Sequence, residues 1–389
     1  MAMEQILRLM AEKKASDVYL SAGAPITIKI NGACVPLNQE KLAPSTILAM
    51  LKEVLRESQM RELEESFELN TGIPVPGVGS FRLSAFRQRS AVSAVIRYIP
   101  VDVPALDSLG VPPILGELIM ERRGLILVVG ATGSGKSTTL AGMIDHRNSN
   151  RSGHILTFED PIEFLFKNKK SIVNQREIGS DSRSLQTALK NALRQAPDVI
   201  FIGEIRDRDT MTAAIAYSLS GHLVLATLHA NNSYHAMNRI ISFYSPENRP
   251  ALLADLSAAL KAVVSQRLVR SKIGGRIPAV EVLLNTRLIA DLIEKGKIYD
   301  IKETMEKSLA AGSQTFEQSL LDLLSQDKIT QEEALANADS ATNLIWLINN
   351  QGAAGSGASD KPKNSFLHPE QPAQTKEEGA TFTEFTLNA

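Results

Sequence analysis

One short segment, residues 130–137 with the sequence GATGSGKS, constrains the fold of this chain more than any other feature. It matches the pattern G-x-x-x-x-G-K-[ST] in full, and it stands between an apolar run and a segment with helical spacing, as that pattern requires. Its glycines allow the backbone to wrap until several N–H groups point at one phosphate, and the positive end of the following helix adds to the attraction. Because both flanks fit, a glycine-rich turn with a chance lysine is the weaker interpretation. The segment predicts a nucleotide-binding strand, loop and helix.

The side chains of this loop have separate expected roles. Lys136 reaches the β- and γ-phosphates of ATP, and the Ser137 hydroxyl can hold Mg²⁺. Apolar runs elsewhere in this half of the chain are continuous rather than alternating, which is typical of a parallel sheet covered by helices on both faces. The strands predicted from these runs are residues 125–129, 155–158, 199–202 and 223–227. We therefore expect an α/β fold around the phosphate loop.

Three acidic residues follow the second of these strands, within the sequence ILTFEDPIEF at residues 155–164. Glu159, Asp160 and Glu163 are close enough in sequence to repel each other. In a parallel sheet the strand ends gather where the nucleotide binds, so Mg²⁺, Lys136 and nearby arginines would offset this repulsion. Glu163 is the candidate to orient a water molecule or accept its proton. Without the phosphate loop, a solvated acidic loop would be the better interpretation.

Two further strand ends carry candidate residues. Glu204 follows the strand in PDVIFIGEIRD, where it could hold the metal through water or polarise the attacking water. His222 and His229 flank the strand in GHLVLATLHANN, and one of them could sense the γ-phosphate and transmit its loss. For His222, a buried histidine with satisfied hydrogen bonds is an equally good interpretation. A zinc site is not expected, because His229 and His235 lack cysteine or carboxylate partners at a usual spacing.

Composition divides the chain into four parts. The first combines an amphipathic helix, short strands and a helical segment, which together predict a small α+β domain. A stretch with four prolines, from Pro100 to Pro113, then predicts a stiff linker, because proline restricts both itself and the residue before it. The expected parts are residues 1–100, the small domain; 101–113, the linker; 114–350, the P-loop domain with helices from about residue 251; and 351–389, a disordered tail.

Helices are expected to dominate the segment from residue 251 onward. A packed helical face is predicted for Leu252, Leu256, Leu260, Val263 and Val264. Further helices are predicted near residues 287–295, 300–309, 316–325 and 332–348.

Charge and composition argue against several classes of protein. Lys and Arg total 42 and Asp and Glu total 43, so the net charge of −1 and the 5% aromatic content disfavour a RecA-like helicase acting on nucleic acid. Cys34 is the only cysteine, so neither an internal disulfide nor a Cys-x-x-Cys zinc site can form, and a reducing cytosol fits. No apolar run approaches the ~20 residues of a membrane helix. We expect a cytoplasmic protein that docks on a membrane without inserting.

Four motifs together resemble those of the secretion-type motor ATPases: GATGSGKST, EDPIEF, GEIRD and GHLVLATLHANN, in this order and at similar spacing. With ASDVYLSAG and GSFRLSAFRQR near the N-terminus, the chain is similar to type IV pilus retraction ATPases of the PilT/PilU group from residue 3 to about 350. The resemblance implies a PAS-like N-terminal domain, a RecA-like ATPase domain and a hexameric ring. It places the ring peripherally at the inner-membrane pilus base, where it passes work to a membrane platform protein.

The resemblance also assigns roles to residues of this chain. Glu163 would be the catalytic acid of the aspartate box and Glu204 the Walker B carboxylate. Arg82 and Arg97 would complete the site of a neighbouring subunit, although a solvated basic hairpin with Arg87 and Arg89 at its turn is a comparable interpretation. The full set of implied catalytic residues is Lys136, Glu163, Glu204 and His229; the implied nucleotide-binding residues are Gly130, Thr132, Gly133, Ser134, Gly135, Lys136, Ser137, Thr138, Glu159, Asp160, His222, Arg82 and Arg97, with Ser137 and Glu204 on the metal.

One departure points to a branch of the group. The sequence LIADLIEK at residues 288–295 stands where the PilT branch has AIRNLIRE, with Ala290 and Glu294 in place of its two arginines. This change resembles the PilU branch and implies an accessory motor that works beside a PilT-type ATPase. A stand-alone retraction motor and a nucleotide-sensing regulator without hydrolysis remain alternatives.

Overall fold

The computed structural model describes residues 2–30, 32–99, 102–307 and 310–354. The chain divides after Leu347 into two units, and both of its β-sheets lie in the first. The described part is a mixed α/β structure, as the sequence predicts.

The first sheet has six antiparallel strands in the order β3-β2-β1-β6-β5-β4. The strands are β1 (Asp17–Leu20), β2 (Thr27–Ile30), β3 (Ala33–Pro36), β4 (Glu68–Val75), β5 (Gly79–Gln88) and β6 (Ala91–Ile99), and the helices are α1 (Ala2–Glu12), α2 (Pro44–Lys52) and α3 (Glu57–Ser66). Strand β4 alternates strictly between exposed and buried residues, so one face of this sheet covers a core and the other meets solvent. Buried Leu7, Ile47 and Phe81 belong to that core.

The second sheet has seven strands in the order β13-β12-β7-β11-β10-β8-β9, all parallel except β13 at one edge. The strands are β7 (Gly124–Val129), β8 (Gly153–Glu159), β9 (Ser171–Glu177), β10 (Val199–Ile202), β11 (Leu223–Leu228), β12 (Leu260–Arg270) and β13 (Arg276–Leu284). Every residue of β7, β10 and β11 is buried, because helices cover both faces of the sheet. The four predicted parallel strands are confirmed within two residues at each end.

Eleven α-helices are described from residue 102 onward. They are α4 (Ile114–Leu118), α5 (Lys136–Asn150), α6 (Leu185–Ala192), α7 (Arg208–Leu219), α8 (Ser233–Ser242), α9 (Arg249–Ala259), α10 (Arg287–Glu294), α11 (Asp300–Glu306), α12 (Phe316–Ser325), α13 (Gln331–Asn337) and α14 (Ala341–Ala354). Side-chain caps start several of them: Asp207 accepts from the Thr210 N–H at α7, and Asn232 accepts from the His235 N–H at α8.

The predicted helical face after residue 251 is wrong in its second half. Helix α9 ends at Ala259, and Leu260, Val263 and Val264 belong to strand β12. Their spacing fits a helix, but β12 lies between β7 and β13 with both faces covered, so its apolar residues form a run without alternation. A short buried strand and a buried helix cannot be separated by periodicity when this happens.

Other boundaries also differ from the predictions. The single helix predicted at 332–348 is two, α13 and α14, separated by residues 338–340. Strand β9 was not predicted, and helix α14 runs to Ala354, inside the predicted tail. The remainder of that tail, residues 355–389, lies outside the described residues. In the predicted linker, Leu106 is buried beside α5.

Candidate active site

The phosphate loop connects the buried end of β7 to the first residue of α5. Lys136 Nζ donates to the carbonyl oxygens of Gly130 and Ala131, at 2.8 Å each, so the loop curls around its own lysine. Gly130 has φ +156°, and a Cβ there would lie 2.4 Å from Ser134 Oγ and 2.6 Å from Gln266 O. Only glycine fits this position, because the loop packs directly against the neighbouring strand.

Gln266, on strand β12, supports the loop from behind. Its Oε1 accepts from Thr139 Oγ1 at 2.8 Å, and a Cβ on Gly135 would lie 2.7 Å from its Nε2. Gln266 was missed by sequence reasoning because it falls in the segment predicted as helix. A polar residue inside an apolar run was the signal that could have found it.

A cleft of about 800 Å³ opens in front of this loop. It is lined by residues from four motifs: Thr132, Gly133, Gly135, Lys136, Ser137 and Thr138; Glu159, Asp160 and Glu163; Glu204 and Arg206; and Thr227 and His229. The parallel register explains why these segments meet. Val129 pairs with Leu228 and Phe158 pairs with Ile202, so the carboxyl ends of these strands lie together on one side of the sheet. Four segments far apart in sequence therefore share one cleft.

The three acidic residues at and just after the end of β8 have different surroundings. Glu159 is only 7% exposed, and burial raises its pKa to about 7 although hydrogen bonds from Thr157, Gln175 and the Glu163 backbone lower it. Glu159 therefore faces protein donors, whereas Glu163 is exposed in the cleft. Burial lowers the pKa of Lys136, and the charges of Glu204 and Glu163, which line the same cleft, act against this shift.

Glu204 is held by two cationic or polar side chains at the end of β10. Its Oε1 lies 3.2 Å from His229 Nε2, and its Oε2 accepts from Arg206 at 2.7 Å. The Arg206 guanidinium also lies 3.9 Å from the Asp160 carboxylate, so it links Asp160, which follows β8, to Glu204, which follows β10. Arg206 lies in the GEIRD motif but was not singled out from the sequence. Its position two residues after Glu204 was the signal that could have identified it.

Several residues predicted for the site lie elsewhere in the chain. His222 precedes β11 while His229 follows it, so the six strand residues, at about 3.3 Å each, separate them by roughly 20 Å. The His222 ring contacts Ser220 Oγ and Tyr217 O, but the residue is half-buried rather than buried as the alternative interpretation proposed. The position of His222 at the opposite edge of the sheet does not support a contact with the nucleotide of its own chain.

The two predicted arginines of the first sheet also lie away from the cleft of their own chain. Arg82 on β5 is paired in register with Arg97 on β6, and Arg97 Nε donates to the buried Asp17 at 2.8 Å. Ser134 is buried behind the phosphate loop rather than facing the cleft. The cleft instead contains Arg183 and Arg276, which carry no motif that sequence reasoning could have used.

The donors present fit a magnesium ion held chiefly by nucleotide. Ser137 and Glu204 bring a hydroxyl and a carboxylate to the cleft, and Mg²⁺ prefers oxygen ligands and keeps several waters and phosphate oxygens. Within the described ranges, no group of three or more His, Cys, Asp or Glu side chains is arranged to hold a metal by itself. Such a group is not needed where phosphates supply ligands.

This sheet order, phosphate loop and acidic strand ends define a RecA-like P-loop ATPase. The family model described as "Type II/IV secretion system protein" matches residues 2–327, and the chain belongs to this family. The "Type IV pilus ATPase PilU" of Pseudomonas aeruginosa is 48% identical over 349 residues, which cover 90% of this chain and 91% of that protein. The "Type IV pilus retractation ATPase PilT" of the same organism is 36% identical, over 88% of this chain and 100% of the relative.

A solved structure agrees with these relatives. The crystal structure of the pilus retraction motor PilT with bound ADP superposes with a TM-score of 0.83 at 40% sequence identity, covering 88% of this chain and 98% of the other. The resemblance to the PilT/PilU group is thus confirmed, and the chain is an ATP-hydrolysing enzyme. Across the described residues, no helix is both long enough and apolar enough to cross a membrane.

Proposed function

We propose that this chain is an ATP-driven motor of type IV pilus retraction, and that it acts in the accessory manner of the PilU branch. The observation that carries the proposal is the single cleft that Lys136, Glu163 and Glu204 line together. The relatives named as pilus ATPases supply the biological setting.

Nucleotide binding would rest on the phosphate loop and the start of α5. The backbone N–H groups there and the positive helix end attract the phosphates, and Lys136 reaches the β- and γ-oxygens. Ser137 and, through water, Glu204 would hold Mg²⁺, which neutralises charge on the phosphates when it is bound. Thr132, Gly133, Gly135 and Thr138 line the same cleft.

Hydrolysis would depend on an oriented water molecule rather than on a covalent intermediate. Glu163 is exposed in the cleft and is the residue we assign to orient that water and accept its proton. His229 contacts Glu204 at the end of β11, and α8 begins a few residues later with Asn232 as its cap. Loss of the γ-phosphate could therefore move the start of α8 through His229.

Assembly into a homo-hexamer would bring the first sheet of one subunit to the cleft of the next. In that arrangement Arg82 and Arg97 supply positive charge to a neighbour's phosphates, which they do not reach in their own chain. The ring would act in the cytoplasm, peripherally at the inner-membrane pilus base, on a platform protein. Nucleic acid has no place in this scheme, since the net charge is −1.

The accessory role is supported by helix α10. This helix carries Ala290 and Glu294 where the PilT branch has arginines, and the identity to PilU exceeds that to PilT. A stand-alone retraction motor would hydrolyse ATP and drive retraction without a partner. A nucleotide-sensing regulator would bind ATP and leave it intact.

One experiment separates these possibilities. The ATPase rate and the assembly mass of the purified chain are measured alone and with a PilT-type ATPase, and retraction is scored in cells that hold either or both. We expect hydrolysis by the chain itself, a ring mass near six subunits, and retraction only when the partner is present. Retraction by this chain alone would select the stand-alone motor, and ATP binding without turnover would select the regulator.

A further inference from the structure

The segment that carries Glu163 is irregular, although the chemistry needs its carboxylate in a fixed place. Residues 161–170 form neither helix nor strand, so no backbone ladder positions them. Several of their backbone groups bond instead to side chains of two neighbouring elements, β9 and α5. The residues that hold the Glu163 segment in place therefore lie outside the motif that contains Glu163.

Gln175 on β9 contacts the backbone that immediately follows Glu163. Its Nε2 donates to the Phe164 carbonyl at 2.8 Å and to Glu159 Oε1 at 3.1 Å. Its Oε1 accepts from the Phe166 N–H at 2.9 Å. One amide group thus binds the backbone on both sides of Leu165 and also the buried carboxyl of Glu159.

Glu159 completes this arrangement from below. Thr157 Oγ1 donates to its Oε1 at 2.6 Å, and the nearby Glu163 backbone lowers the pKa of the same carboxyl. The carboxyl that the motif suggested for nucleotide therefore lies close to the backbone of the catalytic candidate. Buried Glu159 and half-buried Gln175 thus form an amide–carboxyl pair beside the backbone that carries Glu163.

We propose that Gln175 is a positioning residue for hydrolysis, which fixes Glu163 against the attacking water, with Glu159 as its buried anchor. The inference rests on the proposed role of Glu163. Positioning matters here because phosphoryl transfer to water depends on alignment, and a displacement of about 1 Å can cost a factor of roughly 100 in rate.

Other contacts fasten the ends of the same segment and leave its centre to Gln175. Glu177 Oε2 accepts from the Ile162 N–H at 3.1 Å. The buried Asn148 of α5 donates to the Lys167 carbonyl at 2.7 Å and accepts from the Lys169 N–H at 3.2 Å. Because α5 begins with Lys136, these bonds tie the segment to the helix that holds the phosphates.

The test compares two amides on the same strand. Asn174 is exposed, and its side chain contacts His154 rather than the acidic segment, so Asn174→Ala is the matched control. We expect Gln175→Ala to lower kcat for ATP by roughly tenfold or more, with nucleotide affinity within about twofold of wild type, because the loss falls on alignment and not on binding. Asn174→Ala should retain both values. Binding is read with a fluorescent ATP analogue, and unfolding curves confirm that each variant folds.

A second test exchanges the amide and the carboxyl between positions 175 and 159. A general packing defect would not produce the recovery of kcat that this exchange predicts. Gln175→Glu keeps the shape but sets a second carboxyl against Glu159, so kcat should fall. Adding Glu159→Gln restores an amide–carboxyl pair with donor and acceptor exchanged, and kcat should recover in part. Wild-type kcat in Gln175→Ala, or a double variant no faster than Gln175→Glu, would overturn the inference.

The same assays separate this inference from the function it rests on. If Glu163→Gln hydrolyses ATP normally, the proposed role of Glu163 is wrong whatever Gln175 does. If Glu163→Gln is inactive and Gln175→Ala is normal, only the positioning role fails.

Discussion

His229 Nε2 lies 3.2 Å from Glu204 Oε1, and these two residues follow neighbouring parallel strands of the ATPase sheet. Arg206 binds the other oxygen of the same carboxylate at 2.7 Å. Glu204 is therefore held from two sides at the cleft. The contact joins Glu204, which we propose to hold the metal through water, to His229, which precedes α8. Loss of the γ-phosphate could therefore be transmitted to this helix through His229.

The contact between His229 and Glu204 predicts unequal roles for the two histidines of the motif. His229→Ala should lower kcat by about tenfold, because Glu204 loses one of its two partners while the phosphate loop is intact. His222→Ala is the matched control, since it flanks the same strand at the opposite edge. Steady-state ATPase assays on both variants test this, and equal losses would contradict the placement described above.

Lys136 predicts the largest loss of binding. Lys136→Ala removes the ammonium that reaches the β- and γ-phosphates, so turnover should vanish and nucleotide affinity should fall by about tenfold or more. Equilibrium binding of a fluorescent ATP analogue, with ATPase assays, measures both. Retained turnover would mean that the cleft is not the catalytic site.

Glu159 predicts a pH-dependent stability difference. The pKa of Glu159 in the folded protein is about 7, above its ordinary value of 4.5, so ionisation of Glu159 opposes folding. Its contribution to the free energy of unfolding is therefore fully present below pH 4.5 and is lost as the pH rises through 7. Glu159→Gln removes the ionisable group. Relative to wild type, the variant should therefore gain up to about 3 kcal/mol between pH 5 and pH 8.

Urea unfolding at several pH values measures this difference for Glu159→Gln. A constant gap would show that Glu159 ionises freely in the folded protein, and a gap that shrinks with rising pH would show that folding lowers its pKa. Either result would contradict the prediction.

Arg267 predicts a loss of stability away from the cleft. Its guanidinium binds Asp339 and the Asn337 and Asn231 carbonyl oxygens, and lies 3.9 Å from the centre of the Phe316 ring. Arg267→Ala should cost about 3–5 kcal/mol, because Asp339 is left without its cation in a partly buried place. The exposed Arg270 on the same strand supplies the control, and its alanine variant should unfold within about 0.5 kcal/mol of wild type in denaturant.

The sequence was sufficient where local pattern decides structure. The phosphate loop, its strand and its helix follow from glycine conformations and a lysine at fixed spacing, and the four buried parallel strands are continuous apolar runs. The convergence of Glu163, Glu204 and Lys136 also followed, because carboxyl ends of parallel strands share one edge.

Other features depend on tertiary neighbours that the sequence does not reveal. Strand β12 reads as a helix because both of its faces are covered, which removes the alternation that marks a half-buried strand. Gln266 and Gln175 act from strands that were mispredicted or missed, so their contacts with the loop and the acidic segment could not be inferred. The separation of His222 from His229 follows from the direction of β11 between them.

Glu163→Gln tests the central claim most directly, by measuring ATP binding and single-turnover hydrolysis in the same variant. The claim is that Glu163 and Lys136 act on one ATP molecule, so the variant should bind ATP about as tightly as wild type and hydrolyse it at least roughly 100-fold more slowly. Hydrolysis at the wild-type rate would contradict it.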